Sequence, residues 1–425
     1  MRCSVTRTSV LVLFCAQLCL AGCSGGGAAG PDSIPASGEA VLALAALDDA
    51  MRDLMSSYDI PGGALAVTRQ GRLVYARGFG SADTETGAVV QPGSLFRIAS
   101  VSKVITGMAV ARLIEDGQLT LTDHVFGPTG ILDDDIYQTI QDSRVLDIEV
   151  GHLLAHTAGF PGEGQGDPQF DSVPVAAAMG TAPPPGAVTV IQYVLSQTSL
   201  VFAPGTQYLY SNVGYNVLGR IIEKRSGTTY ESYVRSLLAK IGVTDMAIAG
   251  SLESERREGE VKYYDLAWCA GDAYDGTGRQ TPCSYGVMYL PTIDSHGGWI
   301  ASPIDLVKFA NAVDGFRNRP SLLSAETIAA MRQSPAGIPD AHGYSGWSIE
   351  ASGAWSHAGA LTTGTAAYLY RGADQTEWAM VFNRLPMQEG GSMEDILAFF
   401  AKVKAVTDIL ATVTDWPTGD QFESY

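Results

Sequence analysis

Ser100 and Lys103 stand three residues apart at the head of a stretch that continues through Ile105, Met108, Ala109, Leu113 and Ile114 at helical spacing. Residues three apart share a helical face, with Cβ atoms roughly 5–6 Å apart, so the hydroxyl and the amine can meet. A serine hydroxyl becomes an effective nucleophile when a neighbouring base takes its proton. The helix N-terminus favours an alkoxide and presses the lysine towards its neutral form. Of the seven lysines, Lys103 alone has a serine three residues before it. A capped helix start with a solvated lysine is the plain alternative.

Two further segments carry polar groups of the kind such a nucleophile needs. Tyr210-Ser211-Asn212 falls in a polar break just before a helix, where phenol and amide can project into a cleft; an ordinary capping turn is the alternative. His357-Ala358-Gly359 ends a strand, where the glycine would let a substrate backbone lie close to the strand edge. His152 and His156 stand at the i, i+4 spacing of a metal pair, but Leu153 follows the first histidine where the metalloprotease pattern needs Glu. Packing is the better reading of that pair, and no metal site is expected. The stretch from Asp272 to Gly278 lacks the alternating acids of a calcium loop.

Ser-x-x-Lys near residue 100, Tyr-x-Asn about 110 residues later and His-x-Gly about 145 after that resemble the three motifs of the serine β-lactamase and penicillin-recognising hydrolase family. The resemblance extends to Phe96-Arg97-Ile98-Ala99, Gly117-Gln118-Leu119, His152 to Gly159, Gly297-Gly298-Trp299 and Asp305-Leu306. It implies an α+β fold, a five-stranded antiparallel sheet flanked by helices, with an inserted helical subdomain and the active site between them. It implies further that a substrate carbonyl acylates Ser100, that Lys103 and Tyr210 move the proton, and that Asn212 orients substrate and Lys103. The N–H groups of Ser100 and Ala360 would stabilise the oxyanion, and no cofactor is implied. The third motif departs from the β-lactamase enzymes, which carry Lys where His357 stands. A histidine is shorter and uncharged over much of the neutral range, which resembles the peptidase and esterase branches and disfavours cephalosporin hydrolysis.

The elements that must position these residues are legible from periodicity. Val41 to Met55 is an amphipathic helix, and Ala64 to Val67 with Arg72 to Gly78 forms a hairpin about Gln70-Gly71. Strands recur at Gly346 to Glu350, Ala354 to His357, Gly364 to Tyr370 and Glu377 to Asn383, before a closing helix from Met393 to about Val413. Helices fill the middle at Lys103 to Glu115, Ile148 to Ala155, Thr189 to Gln197, Tyr215 to Arg225, Tyr230 to Ile241 and Pro303 to Val313. One sheet drawn from both ends of the chain is expected, from about 38–99 and 295–425, with a helical part at about 100–294. The long irregular stretches from Phe160 to Ala187 and Trp268 to Trp299 are candidate rims of the site.

Composition sets the outer bounds. The 425 residues are 46% hydrophobic, which argues against a disordered chain, and carry 45 acidic against 27 basic side chains, which disfavours nucleic acid as a partner. Arg2, Arg7 and the short apolar run Val10 to Ala21 read as a signal peptide over 1–22. Leu20-Ala21-Gly22-Cys23 resembles a bacterial lipobox, so lipidation at Cys23, a flexible tether over 23–37 and a membrane anchor in the cell envelope are expected. Cys269 and Cys283 are then the two cysteines of the folded part; one disulfide is the expectation, two free thiols the alternative. The expectation is thus an exported, monomeric serine hydrolase acting on an ester or amide, D-amino-acid peptides and β-lactams included. A binding protein that traps penicillin or cell-wall peptides without turnover is the rival.

Overall fold

Strand residues alternate between two faces, and in this chain both faces are apolar, so the sheet must be covered on both sides. The computed structural model describes residues 34–425 apart from 163–165, 267–268, 317–318, 339–340 and 388–391. The leader and Cys23 lie outside the described residues. Helix α1, Ala45–Ser57, leads into strands β1, Gly62–Arg69, and β2, Arg72–Asp83. The middle supplies, among others, α2, Ser102–Glu115, α3, Asn212–Ser226, and α4, Pro303–Ala312. The last part supplies β3, Trp355–Leu361, β4, Thr365–Arg371, β5, Thr376–Phe382, and α5, Met393–Ala411.

The five long strands form one antiparallel sheet in the order β2-β1-β5-β4-β3, so strands from the two ends of the chain pair directly at its centre. Leu65, Val67, Trp378, Met380 and Phe382 face one way, against Leu47 and Met51 of α1 and Phe399 and Val403 of α5. Ala64, Ala66, Ala379 and Val381 face the other core. Their small size lets α4 lie close across β5 and β1.

Helix α2 runs through the middle of that second core, buried from Ser102 to Ala111. It stops because Gly117 takes a left-handed φ of +70°, and the Gly117 and Gln118 N–H groups return to the Ile114 and Leu113 carbonyls.

Three sequence expectations change at their margins. The tether stops short of Ser37: Ala36 and Ser37 pair with Phe79 and Gly78, because the outer edge of β2 offers free backbone groups that two extended residues can take up. The strand expected over Gly346 to Glu350 is only Ser348–Ile349. The two irregular stretches hold local structure, a helix at Ser172–Ala178 in the first and a hairpin, Ala270–Asp272 with Gln280–Pro282, in the second. Cys269 and Cys283 close that hairpin as a disulfide, Cα atoms 5.5 Å apart.

In the middle of the sheet, Glu377 of β5 lies opposite Thr68 of β1 and is wholly buried. Its carboxyl accepts from Thr68 Oγ1 at 2.7 Å, which in turn accepts from Asn311 Nδ2 of α4 at 3.0 Å. Burial pushes the Glu377 carboxyl up to about 8 and nearby Asp314 up to about 7. Both acids bind protons more tightly folded than unfolded, so their stabilisation is full below the ordinary carboxylate range and is lost as pH rises through 7 to 8. The melting temperature should therefore fall by roughly 5 °C between pH 6 and pH 9. Glu377→Gln should remove much of that fall; an unchanged fall in the variant, followed by circular dichroism, would show that the carboxyl is not its source.

Candidate active site

Arg97 fixes the backbone that enters the site. It is buried, and its guanidinium donates to the carbonyls of Ser284, Thr363 and Gly250 at 2.7, 3.1 and 3.0 Å while lying over the Tyr263 ring. Phe96–Arg97 pairs with Trp299–Ala301, and the Ile98 N–H continues the ladder to the Trp299 carbonyl. The chain then turns sharply: Ala99 holds a left-handed φ of +46°, a strained conformation for a residue with a Cβ. Ser100 follows inside a single 3₁₀ turn, Ala99–Val101, that passes directly into α2. As the turn runs on into α2, residues three apart stay on one face, which keeps Ser100 above Lys103.

Lys103 is 0% exposed, and its Nζ has three acceptors for the three N–H bonds of an ammonium. These are Ser100 Oγ at 3.2 Å, Asn212 Oδ1 at 2.7 Å and the His296 carbonyl at 2.9 Å. The solvated-lysine alternative therefore fails. So does the capping-turn reading of Asn212: Ser211 is the N-cap of α3, and the Asn212 amide serves Lys103 on one side and the Asp167 carboxylate, 2.7 Å away, on the other. The Tyr210 ring flanks the same ammonium, with Nζ 4.8 Å from its centroid. It is set there by the His156 ring, 4.4 Å away, and by the Ser211 N–H donating to His156 Nδ1 at 3.2 Å.

Three buried imidazoles form the wall beside Tyr210. His342 lies 5.1 Å from His156 and 5.7 Å from His357, ring centre to ring centre. His156 accepts at Nδ1 and therefore carries its proton on Nε2; His342 and His357 donate from Nδ1 to the Gly346 and Ala358 carbonyls. Burial holds His342 down to about 4 and keeps His156 and His357 well below the ordinary histidine range, with Lys103 adding repulsion to each. All three are neutral near pH 7, so Lys103 has no competing cation among them. His152 instead caps its own short helix, accepting from the Glu149 N–H.

The third motif sits on β3. His357 is 5% exposed, so it offers no solvent-facing cation for a substrate carboxylate. Gly359 is needed for a reason the sequence reading missed. A Cβ there would stand 2.4 Å from the Ile98 carbonyl oxygen and 2.9 Å from Ser100 N, so the backbone lying close is the protein's own nucleophile turn rather than a substrate. Ala360 comes next. The Glu350 N–H bonds to the Ala354 carbonyl, and strand Ser348–Ile349 ends opposite Ser356. Backbone groups alternate along a strand, so those of Ala358 and Ala360 face the same way, beyond the end of that short strand. The Ala360 N–H is thus on an open edge, one residue from the contact with Ser100.

Sequence reasoning missed Asp167, Gln169, His296 and His342. Asp167 carried one signal, an Asp-Pro pair of the type that starts a helical turn; the other three lie in stretches with no period.

The β-lactamase family model matches residues 47–402. Esterase EstB of Burkholderia gladioli is 28% identical over 361 residues, 79% of this chain and 88% of that protein. Penicillin-binding protein 4 of Amycolatopsis lactamdurans is 28% identical over 325 residues, 72% of this chain and 73% of that protein. Among solved structures, the D-amino acid amidase from Ochrobactrum anthropi SV3 complexed with L-phenylalanine amide aligns with a TM-score of 0.65 at 22% identity, over 87% of this chain and 100% of that one. Fold, motif order and family match agree: the chain belongs to the β-lactamase family of serine hydrolases.

Proposed function

We propose that this protein hydrolyses an ester or amide through an acyl-enzyme on Ser100, with uncharged acyl groups preferred over β-lactams. One observation carries the reading: Lys103 Nζ lies 3.2 Å from Ser100 Oγ while two other acceptors hold it in place. At that distance Lys103 in its neutral amine form, beside the Tyr210 phenol, can take the Ser100 proton as Oγ attacks the substrate carbonyl. The N–H groups of Ser100 and Ala360 take the oxyanion, a contribution of about 3–4 kcal/mol per donor in comparable sites. The proton then goes to the departing alcohol or amine, and water cleaves the acyl-enzyme by the same route in reverse. The preference against β-lactams rests on His357, which is buried and neutral where a carboxylate would need a cation. The esterase and amidase names among the relatives support the same branch.

The test is turnover of p-nitrophenyl butyrate and nitrocefin side by side, with Ser100→Ala as control. Ester turnover that disappears in Ser100→Ala, with little nitrocefin turnover, is expected. Rapid nitrocefin hydrolysis would sink the stated preference, and stable acylation without release would favour a trap over a hydrolase.

A further inference from the structure

Lys103 depends on two acceptors besides Ser100, and one short turn holds both. Asn212 and Asn216 lie one helical turn apart on α3. The segment Asp167 to Phe170, a 3₁₀ turn in the long loop before Ala187, docks against them. Asp167 Oδ2 accepts from Asn212 Nδ2 at 2.7 Å, and Gln169 Oε1 accepts from Asn216 Nδ2 at 2.7 Å. Gln169 Oε1 also accepts from His296 Nε2 at 3.1 Å, and it is the His296 carbonyl that accepts from Lys103. Gln169, Asn216 and His296 are all buried.

We propose that Asp167 and Gln169 are positioning residues for Lys103, the first through the Asn212 side chain and the second through His296. The inference rests on the acyl-enzyme reading above. As an ammonium, Lys103 only donates, and Asn212 Oδ1 must face it. After giving up its proton, Lys103 is an amine with a lone pair, and an unrestrained Asn212 would turn to offer Nδ2 to that lone pair. The lone pair is what must take the Ser100 proton, so such a flip would block the next cycle. A carboxylate cannot donate, so Asp167 holds Nδ2 on its own side and keeps Oδ1 towards Lys103 in both states.

Asp167→Ser is the informative variant. Serine still caps the turn for the Gln169 N–H, which Asp167 Oδ1 now holds at 3.0 Å, but is too short to reach Asn212. On p-nitrophenyl butyrate, kcat should fall by roughly 10- to 100-fold, as expected when a reacting group is misplaced, with KM changed less than about threefold. Asp167→Asn should lose activity as well, because its amide can also donate to a flipped Asn212 Oδ1 and only an acceptor-only group fixes the orientation. In an Asn212→Ala background Asp167→Ser should have no further effect, because its action passes through that amide. Gln169→Ala is a second arm, with the same fall in kcat expected, should Asp167→Ser fail to fold. Multiplying losses in the double variant, or kcat within twofold of the parent for both single variants, would overturn the clamp while leaving Ser100-dependent turnover intact. A parent with no Ser100-dependent turnover would overturn the hydrolase reading and the clamp with it.

Discussion

Lys103→Met should lower the rate of Ser100 acylation by about 10²- to 10⁴-fold, the range that positioned proton transfer contributes in enzymes. Methionine is chosen because it fills nearly the same buried volume, so the loss reports the amine rather than a cavity. The three acceptors around Nζ make the expectation sharp, because they hold the amine 3.2 Å from Ser100 Oγ. The three neighbouring histidines are neutral but face one another and backbone carbonyls, which does not aim them at Ser100. The burst of p-nitrophenol on mixing with p-nitrophenyl butyrate measures acylation directly. A burst of parental rate in a folded Lys103→Met protein would refute the assignment of the proton to Lys103.

Gly359→Ala should be nearly as damaging, although no polar group is touched. The new methyl would lie 2.4 Å from the Ile98 oxygen, 2.9 Å from Ser100 N and 3.1 Å from Val101 N, all of them backbone atoms with no rotamer to yield. Either β3 or the nucleophile turn must move by several tenths of an ångström, parting Ser100 from the Ala360 N–H. A loss of about 10²-fold in kcat/KM is expected, with a lower melting temperature from the strained contact. Turnover within threefold of the parent would mean that strand and turn can separate without cost to the site.

The parts of this molecule that repeat with a short period were legible in its sequence. α2 and the hairpin of β1 and β2 follow from apolar spacing, and Ser100 can be matched to Lys103 because three residues make one helical face. Asn212 was legible as a candidate and as a neighbour of Tyr210, though not its second bond to Asp167. What stayed hidden joins residues far apart in the chain: Gln169 to His296, or His342 to His156 and His357. These contacts are set by how buried segments pack, and no local pattern encodes the meeting of two loops. Gly359 shows a different gap. Its need for a missing side chain was legible, but whether substrate or protein fills the space is a matter of three dimensions. Ala36 and Ser37 illustrate a third, since a compositionally loose segment gains structure from an unoccupied strand edge.

The pairing of β1 with β5 joins residues such as Thr68 and Glu377, 309 positions apart. In a chain that emerges N-terminus first, the hairpin of β1 and β2 therefore waits with one edge unpaired until nearly the whole sequence has appeared. Loop closure of that length comes late and slowly, and the half-made sheet offers both an apolar face and an open edge to other chains in the interval. The same delay leaves the polypeptide threadable for as long as its last strands are missing. Because β5 is the central strand, loss of the final fifty or so residues would remove the centre of the sheet rather than its margin.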